Sequence, residues 1–201
     1  MRAFIGIGLP PKCHRAIAEA VSPFRDRRLP VSWTPEGNLH LTLKFLGEIP
    51  SGRIEEIGAL LRAAASDVPV FELSVEGAGG FPSLRAPRVL WIGIREPLVL
   101  VGKLQENMET MLSGAGFPRE GRPFHPHITV GRVQGRIPPG WGEKYARALS
   151  GIPFGVAGVN SCQLYESRLS PGGATYTVLC DIPLVRGTEG AEREEREEKG
   201  K

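Results

Sequence analysis

The sequence predicts an α+β fold: a bilobal, duplicated arrangement with two antiparallel-rich sheets flanked by helices around a central cleft, related by an approximate two-fold axis. Three observations predict it. Strand-like and helix-like periodicities alternate along the chain, and the order seen in the first half returns in the second. Two short pieces, His40-Leu41-Thr42-Leu43 and His127-Ile128-Thr129-Val130, repeat one another 87 positions apart, each inside a β-forming run. A strong turn signal, Ser170-Pro171-Gly172-Gly173, sits between two late strand-like runs and marks a hairpin.

Along the chain, residues 2–8 read as a first strand, because Met1–Leu9 is too short and too glycine-broken for a signal peptide and Pro10-Pro11 ends it. Pro11 to about Arg28 is helix-like, with Pro11 near its start and Pro23 as a bend or stop. Residues 39–46 form the first His/Thr strand. Ser51 is a candidate N-cap for a helix reaching about Ala65, with Ile54, Ile57, Leu60 and Leu61 along one face. Phe71, Leu73 and Val75 alternate with polar residues as a half-buried strand, and Gly77, Gly79 and Gly80 mark a flexible lobe connection before Phe81-Pro82. Val89–Ile94 is a strand; Leu98, Val101, Leu104, Met108 and Leu112 mark an amphipathic helix. Residues 127–133 are the second His/Thr strand, followed by a short helix around Gly142–Leu149, a strand near Phe154–Val159, and the hairpin of Ser161–Ser167 with Ala174–Ile182. The reading is one bilobal domain over residues 1–184 and a charged, disordered tail over 185–201, since Ala191 is the last apolar residue beyond Arg186.

Composition narrows the class. A 201-residue chain with 41% hydrophobic and 23% charged residues can bury a substantial core. No run of 18 apolar residues occurs, so no membrane span is expected. Cys13, Cys162 and Cys180 are odd in number and unrelated in spacing, which fits buried thiols in a reducing, cytoplasmic compartment better than a disulfide. Neither CxxC nor HExxH is present, and four histidines make no zinc set with these cysteines, so no metal and no cofactor is expected. The net charge of +3 includes six glutamates against four basic residues in the stretch from Gly187, leaving about +5 on residues 1–186, a mild bias toward an anionic substrate.

The repeated motif carries the chemistry. Side chains at i and i+2 of a strand leave on one face, so each copy presents an imidazole beside a hydroxyl while its aliphatic residues point to a core. One His-x-Thr means little, since threonine favours strands and histidine tolerates partial burial. Two copies using half the histidines of the chain mean more. With a reference pKa of about 6.5, one imidazole can accept a proton while the other gives one. Thr42 and Thr129 can donate to the non-bridging oxygens of a phosphate held between His40 and His127. The alternative is two polar residues on solvated sheet faces. Near the motifs, His125 shares parity with His127 and either tunes it or makes a structural hydrogen bond, and Pro126 favours an extended, strand-start backbone. Lys44 shares parity with His40 and Thr42 and either reaches the phosphate or is solvated. Arg132 has the wrong parity for an ideal strand, unless a strand end or bulge redirects it. Phe45, Phe81, Trp91, Phe124 and Tyr165 are candidate base-stacking platforms against a core reading, with Phe124 and Tyr165 the better placed. His14 reads as a surface or satisfied core residue.

These residues resemble a known family. Trp33, Asn38–Gly47, Pro87–Trp91, Phe124–Arg132, Tyr165-Glu166-Ser167 and Gly172-Gly173-Ala174 with Tyr176 are similar to the two-histidine phosphoesterases, in particular the bacterial and archaeal RNA 2',3'-cyclic phosphodiesterases, long called 2'-5' RNA ligases. The resemblance covers about residues 1–184. It implies that His40, Thr42, His127 and Thr129 face a water-filled cleft and that a ribose 2',3'-cyclic phosphate is hydrolysed to a 2'-phosphate without metal. His127 would be the base for water and His40 the acid for the leaving 3'-oxygen. It further implies a monomeric cytoplasmic enzyme whose partners are RNA ends, tRNA fragments or oligonucleotides. Joining or cleaving 2'-5' bonds in the same cleft, or holding terminal phosphates without turnover, are the alternatives.

Overall fold

A computed structural model describes residues 1–26, 28–170 and 173–186. The strands are β1 (Arg2–Gly8), β2 (Val31–Trp33), β3 (His40–Glu48), β4 (Phe71–Phe81), β5 (Val89–Glu96), β6 (His127–Val133), β7 (Pro153–Val159), β8 (Ser161–Ser170) and β9 (Gly173–Pro183); the helices are α1 (Pro11–Val21), α2 (Ile54–Ala65), α3 (Leu98–Gly114) and α4 (Trp141–Ala148). The fold is α+β, with helices flanking an antiparallel sheet. Where the sequence predicts two sheets, the ladder runs without a break through one sheet in the order β7-β4-β5-β6-β3-β1-β8-β9, with β2 added beside β6. The reason is a narrow seam: β3 and β6 pair antiparallel through Leu41 and Ile128.

Alternation explains which way each strand faces. Ala3, Ile5 and Ile7 of β1, Leu41 of β3, Leu90, Ile92 and Ile94 of β5 and Ile128 of β6 are all buried, and they build one core beneath the sheet. The helices close that core: α1 packs against β7 and α4 against β4, α2 lies on β9 and α3, and α3 touches both β3 and β5. Such a one-sided cover leaves the other sheet face free to carry polar residues.

Several expectations are corrected by packing. The first helix stops at Val21, and Pro23 falls in a 3₁₀ turn, Ser22–Phe24. Ser51 caps no helix; it opens a 3₁₀ turn, Ser51–Arg53, and α2 begins at Ile54. Gly77, Gly79 and Gly80 are no lobe connection but the second half of β4. Gly79 is there because Trp91 lies across it: a Cβ at that position would sit 2.2 Å from the indole. The three cysteines are free, with Cys13 and Cys162 buried and Cys180 half-buried; burial pushes the Cys162 thiol up to about 12. Leu184 and Val185 are fastened to the body, Val70 N–H donating to the Val185 carbonyl at 2.9 Å. The stretch 187–201, expected to be a disordered tail, lies outside the described residues, as do Pro171 and Gly172 of the hairpin turn. No helix among the described residues is long and apolar enough to cross a membrane.

Gly79→Ala should therefore displace Trp91 and lower stability by ~1–3 kcal/mol, the usual cost of overpacking. A melt followed by tryptophan fluorescence checks it; an unchanged midpoint with an unshifted spectrum would contradict the close approach.

Candidate active site

The seam decides where the two motifs meet. Leu41 and Ile128 are Cα partners and both are fully buried, so the residues flanking them turn to the opposite, open face. Continuing that register sets His40 across from Thr129 and Thr42 across from His127. The two imidazoles then take one diagonal of a four-residue patch, with Cβ atoms somewhat under ~7–8 Å apart, and the two hydroxyls take the other. On its other side each histidine faces a glycine, Gly8 for His40 and Gly93 for His127. Room for the His40 ring is kept by Gly6, where a Cβ would stand 2.9 Å from the Leu41 carbonyl and 3.3 Å from the ring.

Both imidazoles are held in one tautomer by the same device. His40 Nδ1 donates to the Asn38 carbonyl at 2.8 Å and His127 Nδ1 to the His125 carbonyl at 2.6 Å. A carbonyl can only accept, so Nδ1 carries the hydrogen and Nε2 is the nitrogen left for chemistry. The Thr42 hydroxyl donates to His40 Nε2 at 3.0 Å. Asn38 is itself fixed, its side-chain amide donating to the Ala174 carbonyl of β9 at 2.6 Å. Burial holds the His40 imidazole below its ordinary value, opposed by the Asn38 bond and reinforced by the charges of Arg132, His127 and His14. His127 is lowered likewise, first by burial, against the His125 bond, with Arg132 and His125 adding repulsion.

A bulge follows each threonine. Between β1 and β3 the register passes from Gly6–Thr42 to Ile5–Lys44, skipping Leu43; between β5 and β6 it passes from Trp91–Thr129 to Leu90–Gly131, skipping Val130. One extra residue reverses the parity beyond it. Arg132 is thereby returned to the His/Thr side, where its charge acts on both imidazoles and on Tyr176.

Lys44 goes the other way. The expectation that it reaches a phosphate or is solvated is overturned: its side chain is buried, 2.7 Å from Glu109 Oε2 of α3 and donating to the Pro118 carbonyl at 2.8 Å. Glu109 also accepts from Gln105 Nε2 at 3.2 Å and from the Glu120 backbone N–H at 3.3 Å. The pair ties β3 to α3 and to the loop leading into His125. Removing one partner of such a buried pair strands the other, at a cost of ~3–5 kcal/mol.

Aromatic rings wall the site. Around His40 stand Phe4 at 4.7 Å, Tyr176 at 5.2 Å and Tyr165 at 6.3 Å between centroids, with Phe4 stacked on Tyr165. Around His127 stand Phe81 at 5.0 Å and Trp91 at 6.4 Å. Tyr165 therefore stands beside His40. His125 contributes its carbonyl while its ring lies 6.1 Å from Phe81. Phe124 is not brought to the histidines; it lines a groove against α3 with Gln105 and Glu109. Sequence reasoning misses Phe4 and Tyr176 as wall residues, although the alternation of β1 sets Phe4 opposite Ala3 and Ile5 and so on the open face. Among the described residues no group of three or more His, Cys, Asp or Glu is arranged to hold a metal.

Known proteins share this fold. A family model, LigT like Phosphoesterase, matches residues 7–91 and again 94–176, so that each match contains one His-x-Thr strand. The chain belongs to the LigT-like phosphoesterase family. It is 37% identical to an RNA 2',3'-cyclic phosphodiesterase of Thermotoga maritima over 93% of this chain and 97% of that protein, and 35% identical to one of Thermus thermophilus over 96% and 94%. Its fold superposes on a crystal structure of TT0787 of Thermus thermophilus with a TM-score of 0.74 at 32% identity, covering 94% of this chain and all of that one. Escherichia coli LigT complexed with 3'-AMP gives a TM-score of 0.73 at 29% identity, over 92% and 98%.

With both imidazoles held below their ordinary value, their ring protons should titrate in NMR with midpoints under about 6.5 in the free protein. Protonation in the folded chain is disfavoured, so stability falls as pH drops from about 6.5 through the lowered values. Added inorganic phosphate should raise at least one midpoint, because an anion favours imidazolium. Midpoints above 6.5 without ligand would contradict the burial argument.

Proposed function

We propose that this chain hydrolyses RNA 2',3'-cyclic phosphate termini to 2'-phosphates by metal-free acid–base catalysis between His40 and His127. The observation that carries the reading is the antiparallel seam, which sets two tautomer-matched imidazoles on one diagonal of an open face and two hydroxyls on the other. The names of its relatives, RNA 2',3'-cyclic phosphodiesterases, point to the same substrate.

In this reading the cyclic phosphate lies over Thr42 and Thr129, whose hydroxyls donate to its non-bridging oxygens. The Arg132 guanidinium adds charge where the transition state gathers it. Water attacks phosphorus and gives its proton to His127 Nε2. The bond from phosphorus to the 3'-oxygen breaks, and His40 Nε2–H supplies the proton that oxygen needs. One proton enters the enzyme and one leaves, so the pair ends each turnover in swapped states and resets through solvent. The bound anion favours the charged form of His40, offsetting the burial that lowers it in the empty cleft. The two family-model matches and the equivalent bulges support a duplicated origin, with an approximate two-fold axis passing between β3 and β6.

His40→Ala and His127→Ala should each lower turnover of an oligonucleotide 2',3'-cyclic phosphate by at least ~10²-fold with the fold retained by circular dichroism. Wild-type activity should survive EDTA, with product analysis giving the 2'-phosphate. A folded variant of either histidine with near-normal turnover, or loss on chelation rescued by a divalent ion, would sink the mechanism.

A further inference from the structure

The segment from α3 to β6 is held at few points, and those points connect two parts of the molecule. Among the described residues, the backbone of residues 118–126 makes three hydrogen bonds. The Pro118 carbonyl accepts from Lys44 Nζ at 2.8 Å, and the Glu120 N–H donates to Glu109 Oε2 at 3.3 Å. The His125 carbonyl accepts from His127 Nδ1 at 2.6 Å. The first two bonds end on one buried ion pair, the third on the imidazole of the second motif. Between them Pro123 and Pro126 lock φ, so the segment is stiff. Phe124 rests in the groove that Gln105 and Glu109 also line, which holds the same stretch from its side.

We infer that Lys44 and Glu109 are positioning residues for His127: carried by the strand of His40 and by α3, they set the ring of the other histidine through the stiff segment that ends at the His125 carbonyl. For its kinetic consequence the inference rests on the proposed reaction. The pair is unlike the rest of the charges, since every other ion pair among the described residues has an exposed partner. Burying two charges gains little stability over an apolar pair of the same volume, so what this pair supplies is the direction of its bonds. Lys44 offers donors to Pro118 and Glu109, and the Glu109 carboxylate accepts from Lys44, Gln105 and the Glu120 N–H. The other half of the cleft uses a different anchor. Asn38, whose carbonyl holds His40, is fixed by its own amide to β9, and the position on β6 that matches Lys44 is Gly131. Loss of the pair should therefore release one imidazole and leave the other in place.

The test reads the two rings separately by nitrogen NMR at about pH 8, above the ordinary imidazole value. In the wild-type protein both rings should carry the hydrogen on Nδ1. Lys44→Met with Glu109→Leu removes both loop anchors without stranding a charge in the core. In that double variant His127 should show a mixture of tautomers while His40 keeps its own. Its kcat on an oligonucleotide 2',3'-cyclic phosphate should fall at least ~10-fold, with KM changed less than ~3-fold. Lys44→Met with Glu109→Gln keeps an oxygen for the Glu120 N–H and should fall between the double variant and wild type. Two glycines inserted between the exposed Gly121 and Arg122 slacken the segment and leave the pair intact. This insertion should reproduce the His127 changes, and it decides the matter if the core substitutions prevent folding. A His127 ring that keeps its tautomer with near-normal kcat in the folded double variant or the insertion would overturn the inference, as would equal disturbance of His40. Failure of the wild-type protein to turn over the substrate would instead refute the reaction, with the tautomers still deciding the positioning.

Discussion

One backbone contact organises this protein: the antiparallel pairing of Leu41 with Ile128 at the centre of a nine-stranded sheet. Both side chains are completely buried, and each anchors its strand to the core at ~1.5–3 kcal/mol. With the apolar residues held below, strand geometry compels the histidine and threonine on either side of each to rise above. A slip of one residue in either strand would send the imidazoles into the core and the aliphatics into water. The core therefore fixes the register, and the register fixes the site.

The second constraint is the bulge repeated after each threonine. It ends the polar alternation at the same point in both strands and reverses the facing of the residues beyond it. On β3 it turns Lys44 inward to Glu109, converting a residue with the right parity for the cleft into a clamp between β3, α3 and the loop before His125. On β6 it turns Gly131 inward, where a Cβ would stand 3.0 Å from Trp33, and brings Arg132 out. The inward positions are filled by different solutions, an ion pair in one half and a glycine under a tryptophan in the other. The outward positions differ as well, Phe45 on β3 and Arg132 on β6.

The electrostatics of the pair derive from its walls. Aromatic rings on both sides withdraw the imidazoles from water, and the neighbouring guanidinium opposes their charging, while two backbone carbonyls at equivalent places stabilise the protonated rings. An empty cleft thus keeps both imidazoles inclined to neutrality. In the proposed reaction, an anion between them reverses that balance for the donating ring. Orientation comes from the same carbonyls, because each one fixes Nδ1 as donor and leaves Nε2 as the free ring nitrogen.

Much of the site is legible in the chain alone. That His40 shares a face with Thr42, and His127 with Thr129, is readable because strand parity is local, and local periodicity survives folding whenever a buried face enforces it. Tyr165 is found beside the site for the same reason. The strand through Gly77, Gly79 and Gly80 is not legible, since Gly79 answers to Trp91, which the partner strand β5 lays across it. Lys44 is misplaced by parity, and Arg132 is undecided by it, because a bulge is set by the partner strand and leaves no signature in the strand that carries it. The single sheet is hidden too: two copies of a motif predict two similar units, but only tertiary packing decides whether their inner edges hydrogen-bond. Sequence determined which groups share a face, through short-range backbone geometry; the folded structure decided which faces meet, since that depends on pairings between segments that only a common core brings together.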